Sequence, residues 1–157
     1  MALDSGRELI LEAVKTQLAT ISQAAGYHTT PVAVLREMPP AIGELEVGQL
    51  PALYVIDGTE EREHLPCQQV TCRFHVALHG YTYEPTMGST EINQLLRDVK
   101  KCLQEQTAIN IATWESGRGT AELALLETIE MGFSRESGHA AFVADLVVRY
   151  REPLTLT

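Results

Sequence analysis

The sequence predicts a single α+β domain: a mostly antiparallel sheet of about five strands, several of them long, flanked by two amphipathic helices. Three observations predict it. The stretch "GHAAFVADLVVRYREP" (138–153) alternates strictly, with Ala140, Phe142, Ala144, Leu146, Val148 and Tyr150 on one side and Val143, Asp145, Val147, Arg149 and Arg151 on the other. From about Gln69 to Tyr83 the same parity returns: Val70, Cys72, Phe74, Val76 and Leu78 against Thr71, Arg73, His75, Ala77 and His79. Alternation of this kind marks a strand with one buried face. Two other segments carry their apolar residues at helical spacing instead. A strand over the alternating run 140–151 would extend roughly 40 Å, well beyond the usual five or six residues. Its length, and the valines on its wet side, ask for a partner as well as a core.

The first helix is predicted from Ser5 to Ala25. Ser5 with Glu8 makes a capping-box pattern, Ile10, Val14, Leu18, Ile21 and Ala25 form the stripe, and Gly26 ends it where a left-handed residue is wanted. "HTTPVAVLRE" follows as a short strand whose Pro31 favours its start or an edge position. "EMPPAIGELEVGQLP" reads as a loop, "PALYVID" as the second strand, and "DGTEEREHLP" as another, acidic loop. After the strand from Gln69 to Tyr83, a second helix begins near Ser89 or Thr90, either of which can cap it. Ile92, Leu95, Leu96, Val99 and Leu103 form its apolar stripe; Arg97, Asp98, Lys100, Lys101, Gln104 and Glu105 form its wet side. "WESGRG" is a turn-rich loop before the last two strands.

Those two strands pair as a hairpin if "RESG" (135–138) is its loop with Gly138 left-handed. The core row then matches Phe133 with Ala140, Met131 with Phe142, Ile129 with Ala144, Leu125 with Val148 and Leu123 with Tyr150. The opposite row matches Glu130 with Val143, Thr128 with Asp145, Leu126 with Val147, Ala124 with Arg149 and Glu122 with Arg151. Slipping by one would set Glu127 against Asp145, which is unfavourable. Glu127 itself falls in the core row opposite Leu146, which marks either a carboxyl group with a raised pKa or, more often, a bulge or the sheet rim.

Composition narrows the function. The 157 residues are enough for one domain, 1–157, with a single core. No apolar run approaches the ~20 residues of a membrane span. The N-terminus lacks the basic and apolar regions of a signal peptide, so synthesis for the cytosol is expected. Cys67, Cys72 and Cys102 are odd in number and lack CxxC spacing, so they read as reduced, packed thiols. The net charge is −9, of which −6 lies between Glu37 and Glu63, where seven acids stand against Arg62. With no clustered Lys and Arg, specific binding to nucleic acid is not expected.

A search for catalytic chemistry returns nothing. His75 and His79 have a helical metal-pair spacing, but on a strand they stand ~13 Å apart, too far for one ion. "GRG" (117–119) lacks the strand-to-helix context of a phosphate loop, and there is no GxSxG elbow. No catalytic residue, cofactor or metal is therefore expected. Two helices cover one face of a five-stranded sheet, not both. The other face carries Leu126, Val143 and Val147 among Thr128, Asp145, Arg149 and the Glu122–Arg151 pair. An apolar centre with a charged rim is the composition of a subunit interface.

The arrangement as a whole resembles the tail terminator (tail completion) proteins of long-tailed bacteriophages. The features that carry the resemblance are the helix "RELILEAVKTQLATI", the strand "QVTCRFHVALHGYTYE" leading into the helix "TEINQLLRDVKKCLQE", and the hairpin "ELALLETIEMGFS…HAAFVADLVVRYREP". It spans nearly the whole chain and is one of element pattern, without a diagnostic motif. The resemblance implies a helix-flanked α+β sheet and a homo-oligomeric, hexameric ring on the head-proximal end of the tail tube. That ring stops tube polymerisation and joins the tail to head-completion or neck proteins. It implies a location in the virion, reached from the host cytoplasm during assembly, with DNA passing through without specific binding and no membrane contact. No individual residue carries over from the family, and the acidic segments between 37 and 63 match no family role. If a ring surrounds a channel, Glu44, Glu46, Glu60, Glu61 and Glu63 are expected to line it or to face a partner. The alternative is a small cytosolic α+β enzyme or ligand-binding domain with a pocket around Trp114, Tyr81 and Tyr83. Light scattering and negative-stain imaging separate the two.

Overall fold

Gln69–Tyr83, the first of the long alternating runs, becomes the middle strand of a five-stranded sheet. The computed structural model describes residues 6–66, 69–86, 88–104, 123–134 and 136–153. Its strands are β1 (Ala33–Leu35), β2 (Ala52–Leu65), β3 (Gln69–Tyr83), β4 (Leu123–Ser134) and β5 (His139–Pro153), in spatial order β1-β2-β3-β5-β4. Three of the four pairings are antiparallel; β1 lies parallel to β2. Helices α1 (Gly6–Leu18) and α2 (Thr90–Gln104) complete the predicted α+β domain.

The alternation of β3 and β5 does what it predicts. Val70, Cys72, Phe74, Val76 and Leu78, with Ala140, Phe142, Ala144, Leu146, Val148 and Tyr150, are all buried in one core. Ile10, Leu11, Val14 and Leu18 of α1 and Ile92, Leu95, Leu96, Val99 and Leu103 of α2 close that core from one side. Each large side chain so buried contributes roughly 1.5–3 kcal/mol, which is why both helices dock on this face. Gly80 permits close packing here, since a Cβ on it would stand 2.2 Å from the Phe142 ring.

Several local expectations change. The first helix ends at Leu18 rather than Ala25. The chain turns and re-forms a short 3-10 turn, Gln23–Ala25, with Ser22 Oγ accepting from the Ala25 amide and Gly26 closing it at φ 94°. The run Thr20, Ile21, Ser22 joins β-branched residues to a good cap, which favours such a break. Ser5 lies outside the described residues. Arg36, just past β1, ties that edge to α1 through Glu8 and Glu12, both 2.6 Å from its Nη1.

Asp98 is not on the wet side of α2. It is 1% exposed and accepts from the His28 and Thr29 amides and the Thr29 hydroxyl. A carboxylate with three donors from a neighbouring loop is satisfied in the interior. The start of α2 is held by Glu84, whose buried carboxylate accepts from the Glu91 and Ile92 amides. This meets the donors that Ser89 or Thr90 was expected to cap, and places negative charge at the helix N-terminus.

The acidic loop predicted over 57–66 is mostly strand. β2 continues to Leu65, with a register shift between Asp57 and Glu60. Beyond it Glu61 pairs with Arg73 and Glu63 with Thr71. This end of β2 is the sheet's edge, beyond the last β1 pair and beside the core-facing Val70 and Cys72 of β3, and its residues 61–64 are exposed, so charged residues can occupy both of its faces.

The β4–β5 hairpin follows the predicted register from Ser134–His139 to Thr128–Asp145, with Gly138 at φ 71°. Then the ladder shifts at Glu127. Leu126 pairs with Leu146, Leu125 with Val147, Ala124 with Val148 and Leu123 with Arg149, each one step from expectation. The bulge removes Glu127 from the core row and brings Leu126 to the helix-side core. Leu126 therefore leaves the candidate interface. Glu122 lies outside the described residues, and with it the Glu122–Arg151 pair.

Candidate functional site

The face of the sheet away from the helices divides into two regions. At one end the segment 36–51 folds over it. Leu45 and Leu50 pack against Ala52, Tyr54 and Tyr81, and the Tyr81 hydroxyl donates to the Pro40 carbonyl at 2.7 Å. Tyr54 and Tyr81 meet edge to face, their ring centres 5.6 Å apart. Burial raises both phenols above their ordinary range, reinforced at Tyr54 by the Glu37 carboxylate and at Tyr81 by Tyr54 and then Glu44. His139 Nε2 sits 2.7 Å from the Leu45 carbonyl and fastens this cover to β5. Of the two tyrosines expected to line a ligand pocket, Tyr81 is thus part of a closed second core, while Tyr83 meets the His139 ring edge to face. Trp114 lies outside the described residues.

The other region is a row of charges across four strands. Arg73 on β3 places Nη2 2.8 Å from Glu127 on β4 and Nη1 3.6 Å from Glu61 on β2. His75, two residues along β3, sits between Asp145 on β5 at 2.9 Å and Glu61 at 3.2 Å. The hydrogen bond to Asp145 raises His75 above its ordinary 6.5, a rise reinforced by Glu61 and opposed by burial. His79 is pushed the other way by burial alone. Arg73 and Arg149 stand directly across from each other on β3 and β5, which leaves like charges adjacent unless carboxylates intervene.

Of the predicted interface residues, Val143, Val147, Arg149 and Arg151 share this face. Val143 is 39% exposed, whereas Val147, between His75 and Leu125 in the ladder, is 6% exposed. Val147 is thus largely covered within the single chain. The acids do not form one surface. Glu44 and Glu46 are exposed on the covering segment, where Glu46 opens a short 3-10 turn, Val47–Gln49. Glu61 and Glu63 lie on the β2 arm. Glu60 falls opposite Phe74, on the helix side, and accepts from the Tyr150 hydroxyl.

A cleft of about 360 Å³ lies at the N-terminal end of α2, between Glu84, Ser89, Phe133, Ser134 and His139. Its polar groups are spent: Glu84 on helix amides, His139 on backbone carbonyls. Among the described residues no cluster of His, Cys, Asp and Glu has the arrangement of a metal site. Cys72 and Cys102 are buried, and the Cys102 thiol donates to the Gln17 carbonyl; Cys67 lies outside the described residues. No described helix is long and apolar enough to cross a membrane. The charged row is not flat: Glu61, Glu63, Thr71, Arg73 and Arg149 line a depression of about 450 Å³.

Sequence reading missed Glu84, Asp98, Arg36 and the Arg73–Glu127 pair. The available signal at Asp98 was its place three residues after Leu95, at the margin of the apolar stripe.

No protein-family model matches the sequence, and no curated protein matches it. Among solved structures, the fold is similar to that of a chain in the virion of a native gene transfer agent (GTA) particle. The identity is 16%, the TM-score 0.57, and the match covers 90% of this chain and 94% of that chain. At this identity the likeness is one of fold.

Proposed function

We propose that this chain is a structural subunit of a phage-like virion, a tail terminator that assembles as a hexameric ring on the head-proximal end of the tail tube. The ring stops tube polymerisation and offers its other surface to head-completion or neck proteins. The observation that carries the reading is the likeness of fold to a chain of the gene transfer agent virion, which runs almost the full length of both chains. A whole-domain match of this kind supports a shared structural role more than a shared motif would. The family resemblance in the sequence supports the tail terminator assignment within that class. The role needs no catalytic group, cofactor or metal.

The helix-free face supplies a surface for a neighbouring subunit, with Val143 exposed toward one end of β5 and Arg149 and Arg151 exposed toward the other. Glu44, Glu46, Glu61 and Glu63 are candidates for a negative wall around a channel. DNA slides past such a wall because phosphate attraction, the main source of tight binding, is missing. Glu60 is omitted, being engaged with Tyr150.

The test is light scattering and negative-stain imaging of the purified protein, alone and with the tail-tube protein of the same virus. Rings, or tubes capped at one end and limited in length, are expected. A monomer that leaves tube growth unchanged overturns the reading.

A further inference from the structure

Beyond its register shift β2 pairs with β3 alone, β1 having ended opposite Tyr54, and this edge segment reaches β5 through the Tyr150 hydroxyl on Glu60 and through one imidazole on β3. β2 loses its pairing register between Asp57 and Glu60. There Gly58 comes so close to β3 that a Cβ on it would stand 2.5 Å from the His75 carbonyl oxygen. The ring of that same residue reaches the helix-free face. Its Nδ1 is 2.9 Å from Asp145 on β5, and its Nε2 is 3.2 Å from Glu61, the second residue beyond the interruption. The break in the ladder and the only imidazole between two carboxylates among the described residues therefore coincide.

We propose that His75 is a pH-sensitive clasp: as an imidazolium it ties the acidic arm of β2, residues 60–65, to β5, and on losing its proton it frees that arm at the bulge. Carboxylates accept hydrogen bonds and do not donate them. A neutral imidazole donates from one nitrogen only, so one of the two carboxylates would then face a lone pair. Both contacts are satisfied together only when both ring nitrogens carry protons. The other charges at the ring are Arg73 on β3, Glu63 on β2, Arg149 on β5 and Glu127 on β4. Arg73 is shared between Glu61 and Glu127, so it does not replace the cation that Glu61 loses. Because the ladder is already interrupted at 57–60, the arm can loosen there without breaking the core pairings of β2 with β3.

The sign follows from the direction of the shift. His75 is raised above 6.5, first by the hydrogen bond to Asp145 and then by Glu61, against burial. Its contribution is therefore fully present below the unfolded value and is lost as pH rises through the folded one. The device belongs to the isolated chain and does not depend on the ring.

Imidazole NMR on the full chain follows the ring, and amide hydrogen exchange, corrected for intrinsic rate, follows the arm. The His75 midpoint is expected above 6.5. Protection over residues 60–65 is expected to fall about two- to fivefold between about pH 5.5 and about pH 8.5, while α2 is unchanged. In His75→Gln the arm should show the lower protection at both pH values. A midpoint at or below 6.5, an arm indifferent to pH in the wild-type protein, or full arm protection in folded His75→Gln overturns the proposal. The wild-type measurements need no variant, so they decide the matter even if His75→Gln does not fold.

Discussion

Arg73 and Glu127 lie 54 positions apart, yet one guanidinium nitrogen of Arg73 stands 2.8 Å from both carboxylate oxygens of Glu127. The contact exists because β4 bulges at Glu127, between the Leu126–Leu146 and Thr128–Asp145 pairs. An acid that regular pairing would direct at Leu146 is turned to the opposite face, where β3 offers a cation across the width of β5.

Deletion of Glu127 should therefore be tolerated. The pairs on either side of it already follow consecutive positions of β5, Leu146 and Asp145, so removing the extra residue leaves a regular ladder with the same partners. Circular dichroism and melting should show a folded protein with a modestly lower Tm. Deletion of Ile129 should be far worse, because it moves residues across the sheet. Equal damage from both deletions would show that the bulge is not a single inserted residue.

Gly80→Ala should destabilise the chain by roughly 1–3 kcal/mol through overpacking. The added Cβ would lie 2.2–2.8 Å from three Phe142 ring atoms, and both neighbours are core positions. Phe142→Leu, harmful alone, should recover part of the loss when combined with Gly80→Ala. Strictly additive effects in urea unfolding would argue against direct contact.

Asp98→Ala should cost about 2–4 kcal/mol, since it strips partners from two amides and a hydroxyl around a buried site. Asp98→Asn keeps an acceptor and should cost less. Amide exchange at His28 and Thr29 should rise with the same ranking. A neutral Asp98→Ala would mean that water takes over all three bonds.

Val143→Asp should separate folding from association. As Val143 is 39% exposed, its substitution should change monomer stability by no more than about 0.5 kcal/mol. Light scattering should nevertheless show weakened assembly if this face meets a neighbour. Val147→Asp does not make that separation: at 6% exposure the new charge is buried within the chain, and folding itself should suffer. Normal assembly by folded Val143→Asp would remove Val143 from the interface.

Much of the framework was legible in the residues. The alternation in 69–83 and 139–153 marked two of the long strands and their buried faces, and the stripe from Ile92 to Leu103 marked α2. Gly138 marked the hairpin turn, and Pro31 the edge position of β1. What escaped were charges. Asp98 read as a wet residue and is buried; Glu60, Glu61 and Glu63 read as a loop and are strand; Leu126 read as outward-facing and packs with the core.

The sequence by itself determined most of the elements, though not the extent of β2 or the end of α1, and the apolar faces of β3, β5 and α2. A period of two or of 3.6 residues is a local record of burial, complete within each segment. The bulge at Glu127 was legible from an acid in the core row, whereas tertiary structure alone decided the parallel pairing of β1 and the folding of 36–51 over Tyr54 and Tyr81. It also decided the partner of every buried or clasped charge, from Asp98 with the 28–29 backbone to His75 between Glu61 and Asp145. A carboxylate's environment is set by whichever donor reaches it, and these donors come from residues that only packing brings together.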